Sequence, residues 1–301
     1  MNWPPFMILD RCAVIKRENK ELERRTEAET TFKIELVRQR GLFMEKMNET
    51  KNVTMNDTME QLINRKSVRV FTEREIGVTE KQLILRAATE APTAGNQQLY
   101  TIIDVTDQTL KNELVKTCDN QPSIAAAKTV LIFCADCRKW YEAFKITGCE
   151  PRNPGVGDIM LAVSDANIAA QNAVVAAESL GIGSCYIGDV MENYERQREL
   201  LRLPEYVFPA AMLVFGYPTE QQKNRIKPER APMEAIVSEN RYPEMNETYY
   251  QELFGYKTNG DYKGWMKRFC ERKYNSDFAR EMTRSVGKYL TSFLTMSHEE
   301  A

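Results

Sequence analysis

Beyond about the first 54 residues, the apolar and polar positions of this chain sort into alternating helical and extended segments. Met59, Leu62 and Ile63 recur at helical spacing, with Asp57 placed to cap the start. Val68 to Phe71 then reads as a loop. Leu83, Ile84, Ala87, Ala88 and Ala91 predict a second helix, capped by Thr79 and stopped by Pro92. Tyr100–Val105 reads as a strand, Asp107–Cys118 as a helix and Thr129–Ala135 as a buried strand. The strongest helix is Asp158–Leu180. From Ile168 onward it is small and apolar on every side, which predicts a central, covered position, and Gly181 suits its C-terminal cap. Strands follow at Ser184–Ile187 and Ala210–Phe215, with a helix at Glu192–Leu201 between them. Pro218–Pro232 is a basic, proline-punctuated loop, and a second helical region covers Tyr262–Leu294. A few strands among many helices predict an α+β domain over residues 55–301.

Residues 1–54 differ from the rest. Lys16–Glu29 is nearly all charged or polar, so this stretch reads as an N-terminal extension, mobile or helical, that packs little apolar surface. The whole chain is 43% hydrophobic and 28% charged with a net charge of -2, an ordinary globular mixture. That balance gives no reason to expect nucleic acid or an anionic membrane as partner. No uninterrupted apolar run approaches the roughly 18–20 residues that span a bilayer, and a cytoplasmic location is expected. The seven cysteines are scattered and odd in number, which favours reduced thiols. The single histidine, His298, lies near the end, so histidine-based catalysis inside the fold is not expected and a cofactor is expected to carry any chemistry.

Two segments stand out. Arg65-Lys66-Ser67-Val68-Arg69 places three cations and a hydroxyl within five residues. On a helix end, Arg65 and Arg69 would share one side at i, i+4 and could meet a phosphate by charge-assisted hydrogen bonds. Taken alone, such a run is as readily a solvated helix end. The second is Pro92-Thr93-Ala94-Gly95-Asn96-Gln97-Gln98, a small-residue turn denser in amide donors and acceptors than a turn requires. Together they suggest a phosphorylated, planar, hydrogen-bonding ligand, and FMN fits that description. Two other motifs are set aside. Gly181, Gly183 and Gly188 come near the dinucleotide fingerprint, but a helix precedes them and a strand follows, the reverse of its required order. Cys134-Ala135-Asp136-Cys137 lacks a second ligand pair for zinc and reads as two incidental thiols at a strand end.

Both segments resemble those of the nitroreductase and flavin reductase family, and further pieces follow in the expected order over roughly residues 57–295. Arg65, Lys66, Ser67 and Arg69 are similar to the family's opening phosphate and pyrimidine motif. Pro92, Thr93, Ala94 and Asn96 resemble the loop that one subunit lends to its partner's flavin. Gln121 resembles a glutamine that touches the isoalloxazine or ribityl region. Asp165–Leu180 resembles the long central dimer helix, and Tyr186, Ile187 and Gly188 the backbone segment under the flavin ring. Val214–Pro218 followed by Lys227–Pro232 resembles the tail motif that brings a second lysine and arginine to the phosphate. Here the chain departs from the pattern: Lys227-Pro228-Glu229-Arg230 is one residue longer than the usual Lys-Pro-Arg. Arg230 is favoured, because Ala231-Pro232 follows it, and Lys227 is the other candidate.

The resemblance implies a nitroreductase-like fold: a central mixed sheet surrounded by helices, in an intertwined homodimer with a long buried central helix. It implies FMN at the interface, NAD(P)H as reductant and a small electron-poor acceptor such as a nitroaromatic, a quinone or a free flavin, by a two-electron ping-pong mechanism at FMN N5 with no catalytic side chain. A reductive dehalogenase or enoate-type reductase on the same fold is the alternative among enzymes. A flavin-binding store or sensor without turnover is the alternative outside them.

Overall fold

The computed structural model describes residues 55–294. The described residues from Gln61 onward form one compact unit. The expected extension at 1–54 and His298 lie outside the described residues. Helix α1 is Asp57–Asn64. Its cap is Asn56 and not Asp57: Met59 N–H donates to Asn56 Oδ1 at 3.0 Å. The oxygen of a capping side chain must reach the amide three residues on, which leaves Asp57 in the first turn, where its charge suits the helix dipole.

Four strands make one sheet in the order β1-β2-β4-β3: β1 Tyr100–Asp104, β2 Thr129–Asp136, β3 Gly183–Ile187 and β4 Val207–Gly216. All three pairings are antiparallel, and the parallel component of the sheet is a single bridge between Ser67 and Ser184. Every residue of β2 and β4 is buried, as runs such as Val130-Leu131-Ile132-Phe133 require. The β2–β4 register shifts between Phe133 and Cys134, opposite Pro209. A proline has no N–H to give a ladder, and a bulge accommodates it.

Helix α2 is Val78–Thr89, capped by Gly77, whose N–H donates to Glu80 Oε2 at 2.7 Å. Thr79, expected as the cap, sits inside the first turn, because the Glu80 carboxylate is the stronger acceptor for the free end. Helix α3, Gln108–Thr117, starts as predicted, with Asp107 accepting from the N–H groups of Thr109 and Leu110. Two short helices flank β2: α4, Pro122–Ala126, and α5, Arg138–Ile146. The central helix α6, Val156–Ser179, buries Ile159, Ala162, Ala166, Ala169, Ala173 and Ala177, and small side chains let it lie close to the sheet. Gly181 follows with φ +73°, the left-handed conformation of a helix end. Within one chain the cover on α6 is one-sided: Met160 is 61% and Leu161 50% exposed. By length and composition alone α6 would cross a bilayer, yet 44% of its apolar window is buried inside the fold, as in a core helix.

Helix α7, Tyr194–Leu201, leads to β4. The segment from Pro218 to Pro232 is not all loop: α8, Glu220–Asn224, forms one turn within it. Helix α9, Glu247–Gly255, was not expected, and the C-terminal helical region is two helices, α10 Tyr262–Lys273 and α11 Asp277–Leu294.

Candidate functional site

The basic pentad is built by the sheet and not by a helix. Helix α1 ends at Asn64, and the chain then runs extended along the edge of β3. Val68 N–H donates to Ser184 O at 2.9 Å, and Phe71 bridges Pro218. The expected i, i+4 geometry of Arg65 and Arg69 is therefore wrong. Extended backbone has a period of two, and this places Arg65, Ser67 and Arg69 on one side and Val68 on the other. Two glycines make the close approach possible. A Cβ on Gly183 would lie 2.6 Å from Val68 Cγ2, and one on Gly216, the register partner of Gly183, would lie 2.6 Å from the Phe71 ring.

On the polar side, Arg65, Arg69 and Arg225 all act on Cys185 and offset part of the rise that burial imposes on its thiol, and Ser67 hydrogen-bonds that thiol. Arg65 also pulls against the burial that raises Tyr186 to about 12. Together with Lys66 and Lys227 it opposes the burial that raises the Glu178 carboxyl. Arg65 Nε and Nη2 are buried and have no hydrogen-bond partner among the described residues. Arg65 as a whole is half-buried, and two buried guanidinium nitrogens without acceptors are costly, their natural complement being an anion with several acceptor oxygens.

The other cations are partly committed. Lys66 Nζ donates to Lys223 O at 2.5 Å and Arg225 O at 2.6 Å, so it fastens the loop after α8 to the pentad. Arg69 N–H donates to the buried Gln222 Oε1 at 3.3 Å, leaving its guanidinium exposed. Lys227 Nζ donates to Ile63 O. Arg225 Nη2 donates to Ser67 O at 2.5 Å, so Arg225 and not Arg230 is the tail arginine that reaches the pentad. Arg230 is exposed, and no hydrogen bond or ion pair joins it to the pentad among the described residues.

The amide-rich loop is held by the central helix. Asp165, 2% exposed on α6, accepts from Ala94 N–H at 2.9 Å and from Leu99 N–H at 3.2 Å. Between these ties Gly95, Asn96 and Gln98 take positive φ, and Gln98 N–H donates to Thr93 Oγ1 at 3.2 Å. Helix α5 closes the other side: Trp140 Nε1 donates to Gln97 O at 2.8 Å, and Lys139 Nζ to Gln98 O at 3.0 Å. Pro92 and Asn96 are exposed, Thr93 and Ala94 half-buried. A cavity of about 300 Å³ lies between this loop and α5–α6, lined in part by Gln97, Leu99, Trp140, Phe144 and Leu161.

Gln121 joins the wall segment through a residue that sequence reasoning missed. Its Nε2 donates to Asp189, which follows Gly188 in the turn Gly188–Met191. Tyr186 OH donates to Gln171 Oε1 of α6 at 3.3 Å, and Ile187 is buried. Gly181–Gly188 is a helix cap followed by β3, not a phosphate loop opening a helix. Burial raises the thiols of Cys134 and Cys137 to about 12, so neither is poised as a thiolate.

The missed residues are Asp165, Asp189, Gln222 and Arg225. An acid in the middle of an apolar helix, between Asp158 and Glu178 at its ends, was a signal for Asp165; the others had none in the local pattern.

Residues 62–217, just over half of the chain, match the family model described as the nitroreductase family. The oxygen-insensitive NADPH nitroreductase of Salmonella typhimurium is 34% identical over 194 residues, covering 64% of this chain and 78% of that protein. An FMN reductase (NADPH) of Bacillus subtilis is 31% identical over 216 residues, covering 69% and 84%. Among solved structures, the NADPH:FMN oxidoreductase of Vibrio harveyi complexed with NAD+ aligns with a TM-score of 0.66 at 28% identity, covering 78% of this chain and 98% of that one. With its sheet, central helix and pentad in the matched region, the chain belongs to the nitroreductase family.

Proposed function

We propose that this chain is an FMN-dependent NAD(P)H oxidoreductase that works as a homodimer and passes two electrons to a small electron-poor acceptor, a nitroaromatic, quinone or flavin. The observation that carries the reading is the half-buried Arg65, with two buried guanidinium nitrogens unpartnered among the described residues, on the same side as Ser67 and Arg69. A phosphate monoester carries about -1.5 to -2 charge at neutral pH and three acceptor oxygens, and it would complete that set. Arg65, Ser67, Arg69 and Arg225 are the residues that would hold it. Tyr186–Gly188 and Gln121 would meet the ring and ribityl region. The loop Pro92–Gln98 would serve the flavin of the second subunit.

FMN, when bound, supplies the hydride-accepting N5 through which a nicotinamide is oxidised and an acceptor reduced. The protein's own groups bind and orient. The basic cluster neutralises the phosphate, and the Asp165 ties fix the loop amides. The one-sided cover of α6 supports the dimer: Val156, Met160, Leu161 and Ile168 form an exposed apolar stripe that a twofold-related copy would cover.

The test is direct. The purified protein is expected to be yellow with about one FMN per chain, to sediment as a dimer and to consume NAD(P)H with a quinone. A colourless protein that takes up no added FMN refutes the reading. FMN uptake without any nicotinamide oxidation moves it to a flavin store.

A further inference from the structure

The turn that carries Gln121 is unusually constrained. Asp119 and Asn120 precede it with φ of +53° and +52°, two successive left-handed residues that are not glycine. Gln121 N–H donates back to Cys118 O at 3.3 Å. The side chain then donates to Asp189, 68 residues further on. Asp189 is only 9% exposed and has no ion pair, and that amide is the single side-chain donor it meets among the described residues. Burying a carboxylate with one side-chain amide and a backbone N–H as its donors, and no ion pair, costs stability. Arrangements of this kind persist where orientation matters.

We infer that Asp189 is a positioning residue for Gln121: by taking the amide N–H it leaves Gln121 Oε1 as an acceptor for a ring N–H or a hydroxyl of the bound flavin. An ionised carboxylate only accepts, so it fixes which end of the amide faces it. Gln121 Oε1 accepts no hydrogen bond among the described residues, and Asp189 adjoins Gly188 of the wall segment. The groups facing the pair set its charge. Burial raises the Asp189 carboxyl and Asp119 raises it further, while a backbone N–H of Asp189 itself, the Gln121 amide and Lys273 oppose this. Glu192, 5% exposed with Oε1 unpartnered among the described residues, is raised to about 7 by burial and then by Asp189, Asp119 and Glu281. When Asp189 itself takes up a proton, its carboxyl can donate and no longer dictates the amide's orientation.

The inference rests on the flavin reading, and a double-mutant cycle separates the two. FMN affinity is measured by flavin fluorescence quenching at about pH 8 for wild type, Q121A, D189N and Q121A/D189N. D189N keeps the shape and is expected to weaken FMN about three- to tenfold, the scale of one hydrogen bond. In the Q121A background the same change is expected to add less than about twofold. A D189N effect of full size without Gln121, or no effect with it, overturns the inference. A second measurement needs no change at Asp189. Wild-type affinity is expected to fall as the pH is lowered and Asp189 takes up a proton, at a pH above the ordinary carboxylate range because burial raises it, while Q121A stays flat. An equal pH dependence in Q121A overturns the inference. Wild type that takes up no FMN overturns the flavin reading and this one with it; wild-type uptake with additive variants overturns this one alone.

Discussion

Asp165→Asn tests whether the central helix holds the flavin loop. The carboxylate is 2% exposed and receives two backbone N–H groups, Ala94 at 2.9 Å and Leu99 at 3.2 Å. No ion pair involves Asp165 among the described residues, and its charge helps raise the Tyr100 hydroxyl, after burial. The substitution preserves volume, so no cavity contributes. An amide offers one oxygen, so one of the two N–H groups keeps its acceptor and the other faces an NH₂. The loss of one charge-assisted bond, about 1.5–3 kcal/mol, overlaps with the cost of a buried unpartnered N–H, about 1–3 kcal/mol. A total near 2–4 kcal/mol is expected. With a urea slope of about 3 kcal/mol/M for a domain of this size, the unfolding midpoint of the flavin-free protein falls by about 1 M. FMN affinity falls with it, because the ties released belong to the loop that carries Ala94 and Asn96. A midpoint shift under about 0.3 M with unchanged FMN affinity refutes the reasoning, since the loop would then be held by α5 alone.

Arg65→Ala is expected to weaken FMN about ten- to hundredfold and Arg230→Ala less than twofold, by fluorescence titration; equal effects would return the tail arginine to 230. Gly183→Ala drives a Cβ to 2.6 Å from Val68, so it is expected to cost about 1–3 kcal/mol in urea melts, and Val68→Ala in the same chain should recover most of it. Glu192 has a folded pKa raised to about 7, so the fold favours its protonated form, and its cost appears as pH rises from the ordinary carboxylate range through about 7. Glu192→Gln should therefore stabilise by about 1–3 kcal/mol at about pH 8 and by less at about pH 5.5; the reverse order would refute the assignment.

How far the sequence carried the fold depends on where each element finds its partner. Strands β2 and β4 are legible because both faces are buried inside one chain, which demands unbroken apolar runs such as Met212-Leu213-Val214-Phe215. Helix α5 was not legible in the pattern between β2 and α6. It has no buried residue, and Asp136, which accepts from the N–H groups of Arg138 and Lys139 at 3.0 and 3.1 Å, reads as the end of a strand. The pentad was legible as a cluster of cations, but its geometry was not. Charge spacing suits helix and strand alike, and only the bridge to Ser184 decides between them. Arg230 looked right by its neighbours Ala231-Pro232, but the tether from Lys66 to the carbonyls of 223 and 225 is a tertiary fact. Asp165 was visible as an acid in the middle of an apolar helix, while its partner amides, 71 and 66 residues away, were not.

Helix α6 couples the parts of the candidate site. One helix sets two regions of the candidate site: Asp165 fixes the loop at Ala94 and Leu99, and Gln171, less than two turns on, receives Tyr186 of the wall. On the proposed reading these belong to different flavins, the loop to the partner's and the wall to the chain's own. The helix face between them, Leu161 to Ile168, is where the second copy would sit. A shift of α6 along its axis would then move contacts to both cofactors at once. This accounts for its alanines. Ala162, Ala166, Ala169 and Ala173 lie against the interior with no side chain long enough to adopt a second packing. Enlarging one of them, as in Ala169→Val, would act on FMN affinity through geometry alone, with every polar contact of the site intact.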